Sequence, residues 1–472
     1  MNYLSEEQAS LLVGEVEKRE KLYDVCINDI PIWQLVRLNG IRSLQNLPLS
    51  KANKTRFQRI SAYFQLLPIA IKDLIFLLVP KKTKVLFLVH TKFRTIEIDS
   101  YIDKYIAPLL PHLDNWIISE RTPREPGPHA EYPTLLTAAL PELAGLWARC
   151  FSIFMSVSSV EIEGLSKKLE SCPELPAIDK KTIKRIIYTF LVQKKCWAWI
   201  IKRLGKPIVA TMTTGDYAVC AAAHEIGAKC VEMQHGIVTQ HYPLMATESA
   251  LAVSNALAPD IMLLYGEHWR KKLAARGPNT DKLVISAGFP LLEYWVQHKR
   301  QNQNSSNLVI CTLQGVETEK LLFFLSDAWK MVSSCGLKLA IKLHPSRSYE
   351  RDLVNKFFGE NGNVIIYEGI DKPSTYELLA NARWHCSISS ATHYDALAIG
   401  TPTIIIGLRS HEVVYELYEN GHALLANTPE ELAQMISKDP ETVPSSIMEQ
   451  YCAANGIERI CGLMNSLSCT NH

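Results

Sequence analysis

The stretch CSISSATHYDALAIGTPTIII, residues 386–406, reads as strand, turn, helix and strand in direct succession. An apolar run beginning at Trp384 ends in Ser389-Ser390-Ala391-Thr392, whose hydroxyls favour a helix start. The small apolar positions Ala396, Leu397, Ala398 and Ile399 then run to Gly400, and a β-branched run follows over 401–407. Apolar β-branched runs alternating with helix-patterned segments argue for parallel sheets of βαβ units.

Working outward, the same alternation continues on both sides. LVICTL (308–313), a helix over 319–333, LKLAIKL (337–343), NVIIYEG (363–369), WHCSIS (384–389) and TPTIIIG (401–407) make one doubly wound domain. Before it lies HKRQNQNSSN (298–307), a polar segment without a large aliphatic residue, which we read as a linker. Upstream, KVLFLVH (84–90), NWIIS (115–119), PIVATMTT (207–214), KCVEMQ (229–234), IMLLYG (261–266) and LVISAG (283–288) form a second series, with helical segments near 135–155 and 183–204. The expected organisation is an N-terminal helical extension (1–80), two Rossmann-like domains (81–300 and 301–440) and a C-terminal helical tail (441–472). Two such domains make a cleft between the carboxyl ends of their sheets, where open α/β sheets place ligands.

Composition narrows the function. A chain of 472 residues, 47% of them hydrophobic, can build more than one core, and a formal net charge of +2 gives no electrostatic footprint for nucleic acid. Twelve cysteines without a Cys-x-x-Cys pair suggest neither a zinc site nor a disulfide framework, and are read as thiols of a reducing compartment. The N-terminus lacks the continuous apolar core of a secretion signal, so a cytoplasmic protein is expected. One stretch, LLPIAIKDLIFLLVPKKTK (66–84), is apolar apart from Lys72 and Asp73. Its apolar part is shorter than the roughly 20 residues that span a bilayer. It reads as a buried helix or as an interfacial helix resting on anionic lipid through Lys81, Lys82 and Lys84, with residues 61–79 as the contact and the inner face of the cytoplasmic membrane as the surface.

Two motifs can carry chemistry in the second domain. IKLHPSR (341–347) ends a strand at His344-Pro345, where the proline cannot continue the ladder, so Lys342 and His344 are candidates for the cleft. The Ser389-Ser390-Ala391-Thr392 turn offers hydroxyls and helix-start N–H groups suited to a phosphate, with Asp395 one turn in to accept from a ribose. A structural histidine and an ordinary N-cap are the alternative readings of His344 and the serines.

A strand ending in His-Pro, then a Ser-Ser strand end, a helix with a carboxylate and Gly-x-Pro before another strand resembles the nucleotide-binding half of GT-B fold glycosyltransferases. The pattern is similar to bacterial capsule and lipopolysaccharide O-antigen enzymes, including the sialyltransferase group with His-Pro and Ser-Ser motifs, and to the glycerophosphotransferases of teichoic acid synthesis. The resemblance spans about residues 84–437. It implies that His344, Ser389 and Ser390 bind nucleotide phosphates; from the residues themselves, Lys342 and Arg347 can offset the charge of the departing nucleotide, and Thr392 and Asp395 are further donor-site candidates. Where the sialyltransferase group has an acidic pair before glycine, this chain has LQGVE (313–317), which argues against a CMP-sialic acid donor.

The other side of the expected cleft holds CVEMQHGIVTQHY (230–242), a strand that stops at Gln234-His235-Gly236. A sugar hydroxyl attacking an anomeric carbon must lose a proton, and His235 or Asp216 at adjacent strand ends can take it. Gly236 lets the backbone approach a ligand, and Gln234 or Tyr242 can orient an acceptor hydroxyl. Without an Asp-x-Asp motif the expected reaction needs no metal and no cofactor. The substrates expected are a nucleotide-sugar donor and a lipid-linked or polysaccharide acceptor. Three alternatives remain at this point: glycerol-phosphate transfer from a CDP donor, nucleotide-sugar 2-epimerisation, and a non-catalytic binding module.

Overall fold

Seven strands form one parallel sheet, in the order Val284–Ser286, Ile261–Leu264, Cys230–Met233, Ile208–Thr211, Val85–His90, Trp116–Arg121 and Leu136–Thr137. Six form the other, in the order Val364–Tyr367, Lys338–Lys342, Leu308–Thr312, Trp384–Ser387, Thr403–Ile406 and Leu424–Ala426. The structure is a computed structural model that describes residues 6–44, 56–90, 94–97, 100–121, 136–151, 159–175, 178–212, 216–238, 257–274, 284–301, 307–315, 317–332, 334–344, 347–359, 362–369 and 372–469. In each sheet the first strand of the series lies inside and the strand order reverses beside it. This is the doubly wound order that opens a crevice at the reversal point. The inner strands, among them Val85–His90, Ile208–Thr211 and Thr403–Ile406, are buried on both faces, which is why the sequence shows them as continuous apolar runs.

Several boundaries depart from the sequence reading. Leu136–Thr137 is an edge strand where a helix was expected from 135, and that helix begins at Ala139. Leu424–Ala426 adds a strand too short for its periodicity to show. The linker segment is in part helical, because the helix Pro290–Gln301 runs through His298 and Lys299. Lysine, arginine and glutamine are good helix formers, so a polar composition does not by itself mark a break in the helix.

The N-terminal extension is docked. Helices Glu6–Glu20 and Ile32–Leu44 bury Val13, Val16, Trp33 and Val36 against Leu165, Ile183 and Ile187 of the first domain. Buried Glu17 accepts from Trp33 Nε1 (2.8 Å) and from Arg37 Nε (2.6 Å), so the charge taken into this core is paired.

Between the domains, the buried carboxylate of Glu97 accepts from Trp295 Nε1 (3.1 Å) and Ser374 Oγ (2.9 Å). The tail, with helices Ser445–Tyr451 and Gly456–Cys469, returns to the first domain, where the Ala453 N–H donates to the Tyr265 carbonyl (2.7 Å). Gly266 is where this strap presses closest: a Cβ there would stand 2.2 Å from the Gln450 carbonyl oxygen and 2.6 Å from the Tyr451 carbonyl carbon. Gly266→Ala is therefore expected to cost about 2–3 kcal/mol, as overpacking against backbone does, and to lower the urea midpoint accordingly. An unchanged midpoint would show that the strap is not held at this contact.

Candidate active site

At the reversal point of the second sheet, two strand ends are tied together. Ser387 Oγ donates to the Thr312 carbonyl (2.7 Å), and Gln314 Nε2 donates to Ser389 Oγ. Thr392 Oγ1 bonds Thr312 Oγ1 (2.8 Å) and donates to Ser390 Oγ (2.8 Å). Ser390 Oγ also accepts from the Thr392 N–H (3.3 Å), and its carbonyl accepts from the His393 N–H (3.2 Å). The turn is thus a hydroxyl-rich knot whose first N–H groups bond within it, rather than the open row expected from sequence. Arg347 packs on Gly315, where φ is +75° and a Cβ would meet the guanidinium carbon at 2.1 Å. That arginine donates to Tyr349 Oη (2.8 Å). Lys342 is buried and donates from Nζ to the Pro373 carbonyl (3.0 Å), and His344 is exposed.

Across the cleft, the strand Cys230–Met233 ends in a bracket. Gln234 Oε1 accepts from the Tyr265 N–H and its Nε2 donates to the Gly236 carbonyl, both at 2.8 Å. That clasp ties two neighbouring strand ends and fixes the His235-Gly236 turn between them. Asp216, buried at the start of helix Tyr217–Glu225, pairs with the Arg121 guanidinium. Tyr242 and residues 213–215 lie outside the described residues.

Glu232, one pleat before this turn, is buried, and desolvation pushes its carboxyl up to about 8. The native state then holds a proton that the unfolded chain gives up near pH 4.5. Its contribution to stability is full below pH 4.5 and is lost as pH rises through about 8. Glu232→Gln should gain stability over the wild type as pH rises, by on the order of 5 kcal/mol at pH 8.5 and little at pH 4. Thermal unfolding of both proteins across that range checks the sign; a gain independent of pH would contradict it.

The two halves meet at a cavity of about 80 Å³ that opens to solvent. The first domain lines it with His235, Gly236, Lys104, Tyr105, Tyr265 and Trp269. The second brings Ala391, Asp395, Tyr376 and Tyr394, and the returning tail adds Tyr451. Of the residues singled out in the sequence, His235, Gly236 and Asp395 border this space, whereas Lys342, His344, Arg347, Ser389, Ser390, Thr392, Gln234 and Asp216 do not.

Sequence reasoning missed Lys104 and the aromatic wall. Lys104 follows a hairpin of Arg94–Glu97 and Ser100–Asp103 and donates to Tyr376 Oη (3.1 Å) across the cleft. Buried Asp103 holds that turn by accepting from the N–H groups of Tyr105 (2.9 Å) and Ile106 (3.2 Å). The period-2 alternation of Thr95, Ile96 and Glu97 was a signal that could have revealed the hairpin. Burial pushes the Asp395 carboxyl up to about 6, with the Lys104 cation opposing. Lys104 itself is held above its ordinary value: burial works against its charge, and Tyr105, Tyr376 and Asp395 outweigh that. Tyr394, on the same helix as Asp395, donates to Glu416 Oε1 (2.5 Å). Among the described residues no three His, Cys, Asp or Glu side chains stand together as a metal-binding group.

No protein-family model matches the sequence, and no curated protein matches it. The architecture does have counterparts. A protein assigned as a UDP-N-acetylglucosamine 2-epimerase from Listeria monocytogenes superposes with a TM-score of 0.50 at 12% identity, over 82% of this chain and 96% of that one. The fold is GT-B. A UDP-GlcNAc 2-epimerase of Methanocaldococcus jannaschii, in complex with UDP-GlcNAc and UDP, gives 0.48 at 12% identity over 81% and 100% of the two chains. MurG of Acinetobacter baumannii gives 0.44 at 12% identity over 81% and 99%. At these identities the likeness is one of GT-B architecture alone.

Proposed function

We propose that the protein is a metal-independent GT-B glycosyltransferase that moves a sugar from a nucleotide-sugar donor to a hydroxyl of a growing surface polysaccharide. The observation that supports this reading is the interdomain cavity, where His235 and Gly236 share one space with Asp395, Ala391 and Lys104. In the proposed reaction the acceptor oxygen bonds to the anomeric carbon, the bond from that carbon to the donor phosphate oxygen breaks, and the electron pair leaves with the nucleotide. A neutral imidazole of His235 takes the acceptor proton. The Lys104 ammonium offsets the charge that develops on the leaving phosphate. Asp395 accepts from the donor's hydroxyls. Asp216, paired with Arg121, serves here as an anchor of the acceptor-side strand ends.

The test is to incubate the purified protein with UDP-, GDP-, CMP- and CDP-linked substrates, with and without polysaccharide acceptor and with excess chelator, and to follow products by NMR. Nucleotide release that requires the acceptor and ignores the chelator is expected. An epimerised nucleotide sugar formed without acceptor, glycerol-phosphate transfer from CDP-glycerol, or loss of turnover in chelator would each overturn the proposal as stated.

A further inference from the structure

The helix Arg56–Leu78 is apolar on both sides. Its inner face buries Leu66, Ala70 and Leu77, and Asp73 is buried with them. Its outer face carries Phe64, Leu67, Ile71, Leu74, Ile75 and Leu78, with Val79 just beyond, each between 42% and 70% exposed. These positions recur every three or four residues and so form a continuous stripe. A helix facing water carries polar residues on its outer side, and among these exposed positions Lys72 is the one charge. An apolar patch of this extent marks an interaction surface. Among the described residues no helix is long and apolar enough to cross a membrane.

The charges around the stripe indicate what covers it. The Lys81 N–H donates to the Arg203 carbonyl (3.0 Å), the Thr83 N–H to the Leu204 carbonyl (3.0 Å), and Arg203 Nε to the Leu77 carbonyl (2.7 Å). These bonds gather Lys81, Lys82, Lys202, Arg203 and Lys206 at one end of the stripe. Lys72, Lys82, Lys202 and Lys206 are exposed, and none pairs with a carboxylate among the described residues. Asp114 is paired with Lys84. A second copy packing in parallel on this stripe would set its basic end against this one. We infer that the stripe lies in the headgroup region of an anionic lipid bilayer, the apolar side chains inserted and the lysines on lipid phosphates. This inference is independent of the reaction proposed above.

The test is co-sedimentation of the full chain with phosphatidylcholine vesicles, with and without phosphatidylglycerol, at low and high salt. Circular dichroism and thermal unfolding of each variant check that it folds, and light scattering reports its oligomeric state. Binding to the phosphatidylglycerol vesicles is expected. The exposed pair Ile71→Glu/Ile75→Glu should abolish it, and Lys72→Ala/Lys82→Ala should lower the partition coefficient on the order of tenfold. No binding by the wild type, or binding that folded variants of both kinds retain in full, would overturn the inference. A dimer that Ile71→Glu/Ile75→Glu dissociates, with no vesicle binding by the wild type, would overturn it in favour of a second copy.

Discussion

Replacing His235 by alanine is expected to lower kcat about 10²–10⁴-fold while leaving nucleotide binding within about threefold, the range for removing a positioned general base. The reason is placement. Gln234 clasps the Tyr265 N–H and the Gly236 carbonyl, so the turn that carries His235 borders the cavity in one fixed position. The contrast is Asp216→Asn. It weakens the pair with Arg121 that anchors the buried Asp216, so it should lower the unfolding temperature more than it lowers kcat. Steady-state kinetics on both variants, with nucleotide affinity measured separately, separates the roles. Full turnover in His235→Ala alongside a dead, well-folded Asp216→Asn would exchange them.

Lys104→Met should be the second large effect, a loss of kcat/KM on the order of 10²–10³-fold, the scale for removing one preorganised charge-stabilising donor. It also carries a pH signature. The Asp395 carboxyl sits at about 6 because burial raises it while the Lys104 cation pulls it down. The ionised form accepts from the donor's hydroxyls in the proposed reaction. Activity of the wild type should therefore fall as pH drops through about 6. With the cation gone the carboxyl moves further up, and the acid limb of the variant's profile shifts to higher pH. A limb that stays in place would show that Asp395 is not the group titrating.

The sheets were legible because parallel strands buried on both faces leave uninterrupted apolar runs. Val85–His90, Leu308–Thr312 and Thr403–Ile406 lie where those runs placed them. Leu136–Thr137 and Leu424–Ala426 were not legible, since two or three residues hold no period. At the site, Gly236, His235 and Asp395 stood out because each follows a strand end in sequence. Lys104, Tyr376 and Tyr451 come from three distant segments, and only packing of the two domains and the returning tail brings them together. Lys342 read as a ligand because it ends a strand; its Nζ donates to the Pro373 carbonyl, a bond that no local pattern announces.

In the proposed reaction the space between the sheets holds a nucleotide sugar. The measurement that tests it most directly is a titration of UDP, GDP, CMP, CDP and their common sugars into the wild type, Asp395→Asn and Lys104→Met, by calorimetry and thermal unfolding. One nucleotide class should bind, stabilising the fold by about 2.7 kcal/mol at 100 times its dissociation constant. Both variants should weaken that binding while remaining folded. No binding by a folded wild type, or binding that both variants keep in full, would contradict the account.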